Sequence, residues 1–162
     1  MAKNDVTLLG SQANHIVRTY RVEDRTTSSA SATIKPGEPV KVGSSNNVII
    51  LATGEPTNSA PMVGIALTES TETASADGTV EVLVVEAGRT LLRTAATTPG
   101  NLADGILYDS VTYDLTGDVF TVDENEGDDP DVHGLEIVDY DATEGTVDYF
   151  VKGYAARYTS ST

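Results

Sequence analysis

The stretch Thr79-Val80-Glu81-Val82-Leu83-Val84-Val85 decides the fold class of this chain. Val80, Val82 and Val84 alternate with other residues, and Glu81 is placed to face the opposite way. This period of two is the one that a half-buried β-strand requires. Turn-forming residues precede the run, as expected where one strand ends and another begins. The stretch therefore predicts a strand with its valines in a protein core.

Short runs rich in β-branched residues recur along the chain, separated by Gly, Asp, Asn and Pro. No window sustains the apolar spacing of an amphipathic helix over 11 residues. We therefore predict an all-β fold, a small β-barrel or sandwich (β-tulip-like). The predicted core includes Val80, Val82, Val84, Ile65 and Leu67. The other predicted strands lie at 40–42, 47–51, 62–67, 89–93, 119–122, 135–138 and 146–151.

The composition of the 162 residues excludes several classes of protein. There is no cysteine, which excludes a disulfide framework, a thiolate metal site and a cysteine nucleophile. Residues 1–10 lack the apolar run of a signal peptide, and no stretch has the 18 or so apolar residues of a membrane span. We expect a soluble protein that is made in the cytoplasm.

The net charge of −15 is distributed unevenly along the chain. Residues 1–35 hold five basic and three acidic residues, whereas residues 36–162 hold 22 acidic and five basic residues. Such an acidic body repels phosphate groups, so nucleic acids and anionic membranes are not expected as partners. The acidity favours solubility, and with only four lysines it also suggests adaptation to high salt, where screening weakens self-repulsion.

Residues 1–33 differ from the body at 34–162 and are predicted to form an extended N-terminal arm. Residues 16–22 carry arginines and could form one strand, while residues 26–33 are small and polar with little to bury. An arm of this kind needs a partner surface to become ordered. The alternative is a disordered tail.

An internal repeat is predicted within the body, between residues 34–92 and 102–153. An acidic residue followed by Gly-Thr-Val and a second acidic residue occurs at 77–81 and again at 144–148. We interpret the match as a recurring hairpin in which glycine supplies a positive φ and Thr-Val restarts the strand. Convergent turn chemistry is the alternative.

The sequence contains no constellation of the residues that catalysis requires. The only histidines, His15 and His133, belong to no metal motif or triad, and a solvated side chain and a loop hydrogen bond are their expected roles. The absence of tryptophan argues against carbohydrate hydrolysis. We therefore predict no enzyme and no catalytic or cofactor-binding residues.

The acidic segment 123–131 is the one metal candidate, because carboxylates are ligands that Ca²⁺ prefers. Counted from Asp123, however, the glycines fall at positions five and twelve rather than at the sixth position of an EF-hand loop. We interpret the segment as an exposed acidic loop between strands. No metal site is predicted.

The segments Pro36-Gly37-Glu38-Pro39-Val40, Pro61-Met62-Val63-Gly64-Ile65-Ala66-Leu67 and Asp77-Gly78-Thr79-Val80-Glu81-Val82-Leu83-Val84 resemble a known group of proteins. The group is the head-decoration (capsid cement) proteins of tailed viruses, which similarly run from Pro-Gly before a strand to Val-Gly-Ile-Ala and a glycine turn. The likeness covers residues 34–92, and 102–153 through the internal repeat. The motifs are short, and the acidic insertion at 123–131 departs from the pattern.

The resemblance implies a β-barrel body, often a homotrimer, on the outer capsid surface of a virion, with no catalytic residues and the major capsid protein as partner. It also implies an arm that lies across capsid subunits, and the acidity would then suggest a halophilic host. The residues expected to contact the capsid are Arg18, Tyr20, Arg21, Val22 and Arg25. The alternative function is a receptor- or glycan-binding module of a virion spike, tail or cell-surface layer, using the acidic loop and tyrosines.

Overall fold

Twelve β-strands make up the regular structure of the residues that the computed structural model describes, which are 6–11, 16–25, 33–43 and 46–157. No helix of seven or more residues occurs in these ranges, so the all-β prediction is confirmed. The strands are β1 (Thr7–Ser11), β2 (Val17–Val22), β3 (Pro39–Val42), β4 (Val48–Ile50), β5 (Met62–Ala66), β6 (Gly78–Val84), β7 (Thr90–Ala95), β8 (Ser110–Val111), β9 (Tyr113–Thr116), β10 (Val119–Val122), β11 (Leu135–Asp141) and β12 (Thr146–Val151).

Two antiparallel five-stranded sheets form a sandwich-like arrangement. The first, sheet I, has the order β1-β7-β12-β11-β8, and the second, sheet II, has the order β2-β6-β5-β3-β4. A separate hairpin of β9 and β10 lies beside them. Three short 3-10 turns complete the described structure, at Pro99–Asn101, Asp104–Ile106 and Gly153–Ala155.

The larger of two hydrophobic cores is enclosed by sheet I, the β9–β10 hairpin and one face of sheet II. From β12 at the centre of sheet I, alternate residues Val147, Tyr149 and Val151 are fully buried in it. Met62 and Ile65 of β5 enter the same core from sheet II. Burial of apolar side chains on this scale is the main favourable term in folding, at about 25 cal/mol per Å².

Two buried tyrosines meet in the larger core and satisfy each other's hydroxyl groups. The Tyr113 and Tyr149 oxygens lie 2.7 Å apart, and the Tyr149 oxygen is also 2.7 Å from Thr94 Oγ1. Their rings pack edge to face with centroids 5.8 Å apart, a favoured aromatic geometry. Burial raises the pKa of both hydroxyls because it penalises the phenolate. Both tyrosines therefore remain neutral hydrogen-bonding partners at physiological pH.

The smaller core lies on the opposite face of sheet II and contains Val22, Ile34, Val40, Val48, Val63, Ala66, Val80 and Val82. The sheet curls around these side chains, so that its edge strands β2 and β4 approach each other. No backbone pairing between β2 and β4 occurs in the described residues, and the predicted closed barrel is not confirmed.

The predicted core residues are confirmed with one exception. Val80, Val82, Val84 and Ile65 are all buried. Leu67 is 39% exposed, so its assignment to the core was wrong. The reason is that β5 ends at Ala66. Beyond that end, Leu67 is joined to β6 by a hydrogen bond from its backbone N–H to Glu81 O.

The N-terminal arm at 1–33 is not confirmed. β1 pairs with β7 at the edge of sheet I, and β2 pairs with β6 at the edge of sheet II. Val6 lies in the larger core and Val22 in the smaller. These contacts make 6–11 and 16–22 parts of the sheets, while 26–32 lie outside the described residues.

The internal repeat is likewise not confirmed, although the two sheets share an order of pairing. Sheet II contains β2-β6-β5-β3 and sheet I contains β7-β12-β11-β8. The matched glycines differ, however. Gly145 has a φ of +71° in the turn before β12, whereas Gly78 is the first residue of β6 and does not have a positive φ.

Gly64 allows β5 and β6 to approach closely in the middle of sheet II. A β carbon at this position would lie 2.0 Å from Leu83 O, far inside van der Waals contact. The backbone register between β3 and β5 also shifts beside Gly64, so Met62 and Ile65 both face the larger core. The shift is the signature of a β-bulge, which re-aims the following side chains.

Gly64→Ala should destabilise the protein by about 3 kcal/mol, because the methyl group can be accommodated only if two paired strands separate. Urea unfolding measures the change in free energy. Gly100→Ala is the matched control, since a β carbon at Gly100 meets no atom within 4 Å. Equal stabilities of the two variants would contradict this account of the strand spacing.

Candidate interaction surfaces

The five residues predicted to contact a capsid lie on β2 or shortly after it, but they do not share one face. Tyr20 and Val22 face the smaller core, and Val22 is only 6% exposed. Arg21 points away from that core because successive side chains of a strand alternate. Arg18 and Arg25 are exposed at the two ends of the segment. β2 therefore presents Val17 and Thr19 to solvent together with the arginines Arg18 and Arg21.

Arg21 is held against the turn before β6 by an ion pair. Its Nε and Nη2 atoms donate to Asp77 Oδ2 at 2.9 and 2.6 Å, and the backbone N–H of Asp24 donates to Asp77 Oδ1. The Asp24 N–H and the Arg21 guanidinium together lower the pKa of the Asp77 carboxyl. Arg21 therefore has its charge compensated within the protein, whereas Arg18 and Arg25 form no ion pair with another of the described residues.

The acidic segment 123–131, here called the acidic strap, lies along the outer edge of β8. Asp128 Oδ1 accepts a bond of 2.8 Å from the backbone N–H of Ser110. Glu126 Oε2 accepts bonds from the backbone N–H and the hydroxyl of Thr112, at 2.8 and 2.6 Å. In the other direction, the backbone N–H of Asp123 donates to Thr112 O. Carboxylates thus take the place that backbone carbonyls of a neighbouring strand would occupy.

The acidic strap is anchored at both ends by further contacts. At its start, the buried carboxylate of Glu124 accepts a bond of 2.8 Å from the Thr98 N–H. At its end, Pro130 O accepts bonds from Lys152 Nζ and from the Tyr154 hydroxyl. The interpretation of this segment as an exposed loop was therefore wrong for the buried Glu124 and the half-buried Glu126. Asp128 is exposed, although its carboxylate also accepts a backbone hydrogen bond.

His133 follows the strap and makes the predicted loop hydrogen bond. Its Nδ1 lies 3.1 Å from Ser110 O, and its Nε2 lies 3.5 Å from Glu126 Oε1. Among the described residues, no group of three or more His, Asp or Glu side chains is placed to hold a metal ion. The carboxylates of the strap are arranged around N–H and O–H donors instead. His15 lies outside the described residues.

Ser110 and Lys152 form a nucleophile-and-base type of contact beside the strap. Lys152 Nζ donates to Ser110 Oγ at 2.8 Å. Ser110 is only 1% exposed, and the same lysine also donates to Pro130 O. Because a substrate cannot reach the hydroxyl, we interpret this pair as part of the anchor of the acidic strap.

Tyr108 is a surface residue that the sequence did not single out. It is 70% exposed and has a φ of +70°, a conformation that non-glycine residues adopt at a cost. Its backbone N–H donates to Ile137 O at 2.7 Å, which fixes it beside β11. Glycine and asparagine are the usual residues in this conformation, so nothing in the sequence indicated it.

Comparisons of this chain with protein-family models, with curated proteins and with solved structures find no match. The part of the chain that the structure describes contains no helix long and apolar enough to cross a membrane.

Glu126→Ala should cost about 2 kcal/mol of stability, because it leaves the buried Thr112 N–H and hydroxyl without their acceptor. Urea unfolding measures the loss. Glu144→Ala removes the same charge from an exposed turn where the described residues include no partner of its carboxylate, and it should change stability by less than about 0.5 kcal/mol. If both variants lose the same amount, the strap does not stabilise β8.

Asp109→Asn should raise the melting temperature at neutral pH. Burial and the nearby Asp128 raise the pKa of Asp109 in the folded protein, so its ionised form destabilises the fold once the pH exceeds that pKa. The advantage should disappear near about pH 3, where the wild-type carboxyl is protonated in both states. Asp131→Asn, which neutralises an exposed strap carboxylate, is the control. An equal and pH-independent gain in both variants would indicate general relief of repulsion.

Proposed function

We propose that this protein is a structural virion protein that binds the outer surface of an icosahedral capsid and stabilises the contacts between capsomers. The observation that carries the proposal is the pair of exposed arginines, Arg18 and Arg25, at the ends of the β2 segment in a chain of net charge −15. The resemblance of 34–92 to head-decoration proteins supports the same role. The major capsid protein is the proposed partner.

The uneven charge suits a protein that docks by one side. Arg18 and Arg25 meet an acidic partner surface, while the acidic remainder stays in solvent and resists non-specific association. A subunit that binds only the assembled shell stabilises that shell by mass action. No catalytic step is needed for this role.

The oligomeric state, the location and the host are proposed from the same resemblance and the same uneven charge. We infer a homotrimer made in the host cytoplasm and located on the outer capsid surface of a virus with a salt-loving host, for which the surplus of carboxylates is the motivation. We also propose that the two halves of the body are related by an ancient duplication. The shared strand order of sheets I and II supports it, and the different conformations of Gly78 and Gly145 weigh against it.

A receptor- or glycan-binding module is the second candidate, and the exposed Tyr108 favours it, because aromatic rings serve as platforms for ligands. The acidic strap contributes less to this candidate than its composition suggested, since three of its carboxylates are used within the protein. A signal on a glycan array, with no binding to capsids, would favour this function.

Arg18→Glu and Arg25→Glu should each weaken co-sedimentation with undecorated capsids of the virus that encodes the protein, by about tenfold at low salt. Arg157→Glu makes the same charge change at an exposed position away from β2 and is the control. Substitution is preferred to removal of 1–33, because that deletion would take an edge strand from each sheet. Unchanged binding of both variants, or an equal loss in the control, would refute the role of the arginines.

A further inference from the structure

A stripe of apolar side chains crosses the outer face of sheet I, the face turned away from the larger core. It has one residue from each of four strands and a fifth that precedes β8. We define the apolar stripe as Leu9 of β1, Leu91 of β7, Phe150 of β12, Val138 of β11 and Tyr108. All five side chains are partly or largely exposed.

The centre of the apolar stripe follows from the register of β7 and β12. Leu92 and Tyr149 are paired and both are buried in the larger core. Leu91 directly precedes Leu92, and Phe150 directly follows Tyr149. Because successive side chains of a strand alternate, Leu91 and Phe150 face outwards together. Phe150 also pairs with Glu136 of β11, which extends the outer face to the next strand.

Two of the stripe residues occupy β-bulges. The register of β1 shifts between Leu8 and Gly10, and the extra residue, Leu9, is 39% exposed while Leu8 packs against the larger core. The register of β11 shifts in the same way at Val138. Each of these two residues follows a core-facing residue, so alternation places it on the outer face, and the bulge leaves it without a partner in the register.

An open groove of about 640 Å³ lies on this face, near the end of β12 and the start of β7. Val138 and Phe150 line it together with Ala87, Gly88, Glu136 and Lys152. Tyr108 is fixed at the far side by the bond from its N–H to Ile137 O. An exposed aromatic residue beside an apolar groove is typical of the anchors found at protein interfaces.

The charges that flank the apolar stripe are nearly balanced, unlike those of the chain as a whole. Three basic and four acidic residues lie beside it, namely Arg89, Arg93, Lys152, Glu136, Asp139, Asp141 and Asp148. Arg93 and Asp148 form a bidentate pair with distances of 2.7 and 2.9 Å. These seven side chains sum to a charge of −1, in a chain whose net charge is −15.

We propose that the outer face of sheet I is the docking surface for a second copy of this chain. Two copies carry the same surplus of negative charge and repel each other wherever acidic surfaces meet. A nearly neutral apolar face reduces that penalty. Both signs of charge on one face also allow opposite charges to meet between copies. This inference does not depend on capsid binding.

Sedimentation velocity on the full chain tests the proposal over a range of protein and NaCl concentrations. We expect a species of two or three times the 17.0 kDa monomer mass. Its fraction should increase with salt, because screening weakens the repulsion between the acidic bodies while the apolar contact persists. A mass of 17.0 kDa at every concentration and salt, or association that weakens with salt, overturns the proposal.

Leu9→Glu should raise the dissociation constant of self-association about tenfold or more, since it places a charge in the apolar stripe. Leu67→Glu is closely matched, because both leucines are 39% exposed and Leu67 lies on sheet II. It should associate as the wild type does. Circular dichroism and thermal unfolding establish that both variants fold.

Tyr108→Asn is a second variant with little risk to folding, because asparagine tolerates a positive φ. It should weaken self-association while leaving the melting temperature of the monomer equal or higher. Arg18→Glu, measured without capsids, should associate as the wild type does, so failure of capsid binding and failure of self-association remain distinguishable. Equal effects of Leu9→Glu and Leu67→Glu, or normal association of Tyr108→Asn, would overturn the assignment of this face.

Discussion

The contact between Tyr149 of β12 and Tyr113 of β9 is the interaction on which the rest of the structure depends. Tyr149 lies on the central strand of sheet I, and its ring and hydroxyl meet Tyr113 in the middle of the larger core. Thr94 of the neighbouring β7 completes the hydrogen bonds of the Tyr149 hydroxyl. Sheet I and the β9–β10 hairpin are thereby fixed at one distance, because a buried hydroxyl that lost its partner would cost about 1–3 kcal/mol.

The predicted strands show which features of this fold the sequence conveys and which it does not. Alternating β-branched residues correctly indicated β6, β10 and β12, since strands that half bury their side chains impose that pattern. The short strands β8 and β9 were not predicted. Val111, Tyr113 and Leu115 alternate with polar residues there, which is a strand signal, but the burial of the polar Ser110 depends on contacts with distant residues.

The candidate surfaces, too, could be predicted only in part from the sequence. The arginines of β2 were evident from charge alone, whereas the burial of Val22 depends on the curl of sheet II and could not be inferred from residues 16–25. The apolar stripe was evident only in part. Alternation places Leu91, Val138 and Phe150 opposite their buried neighbours, but that these residues lie side by side depends on the pairing of β7, β12 and β11, which no local pattern gives.

The acidic strap also bears on how copies of this protein can join. An uncovered strand edge such as that of β8 would offer its N–H and C=O groups to the edge of another molecule, and the pairing could continue without limit into fibres. A carboxylate accepts a hydrogen bond but donates none and cannot extend a ladder. The Glu126 and Asp128 side chains therefore terminate sheet I chemically at this edge, which disfavours filaments and leaves closed assemblies through its face.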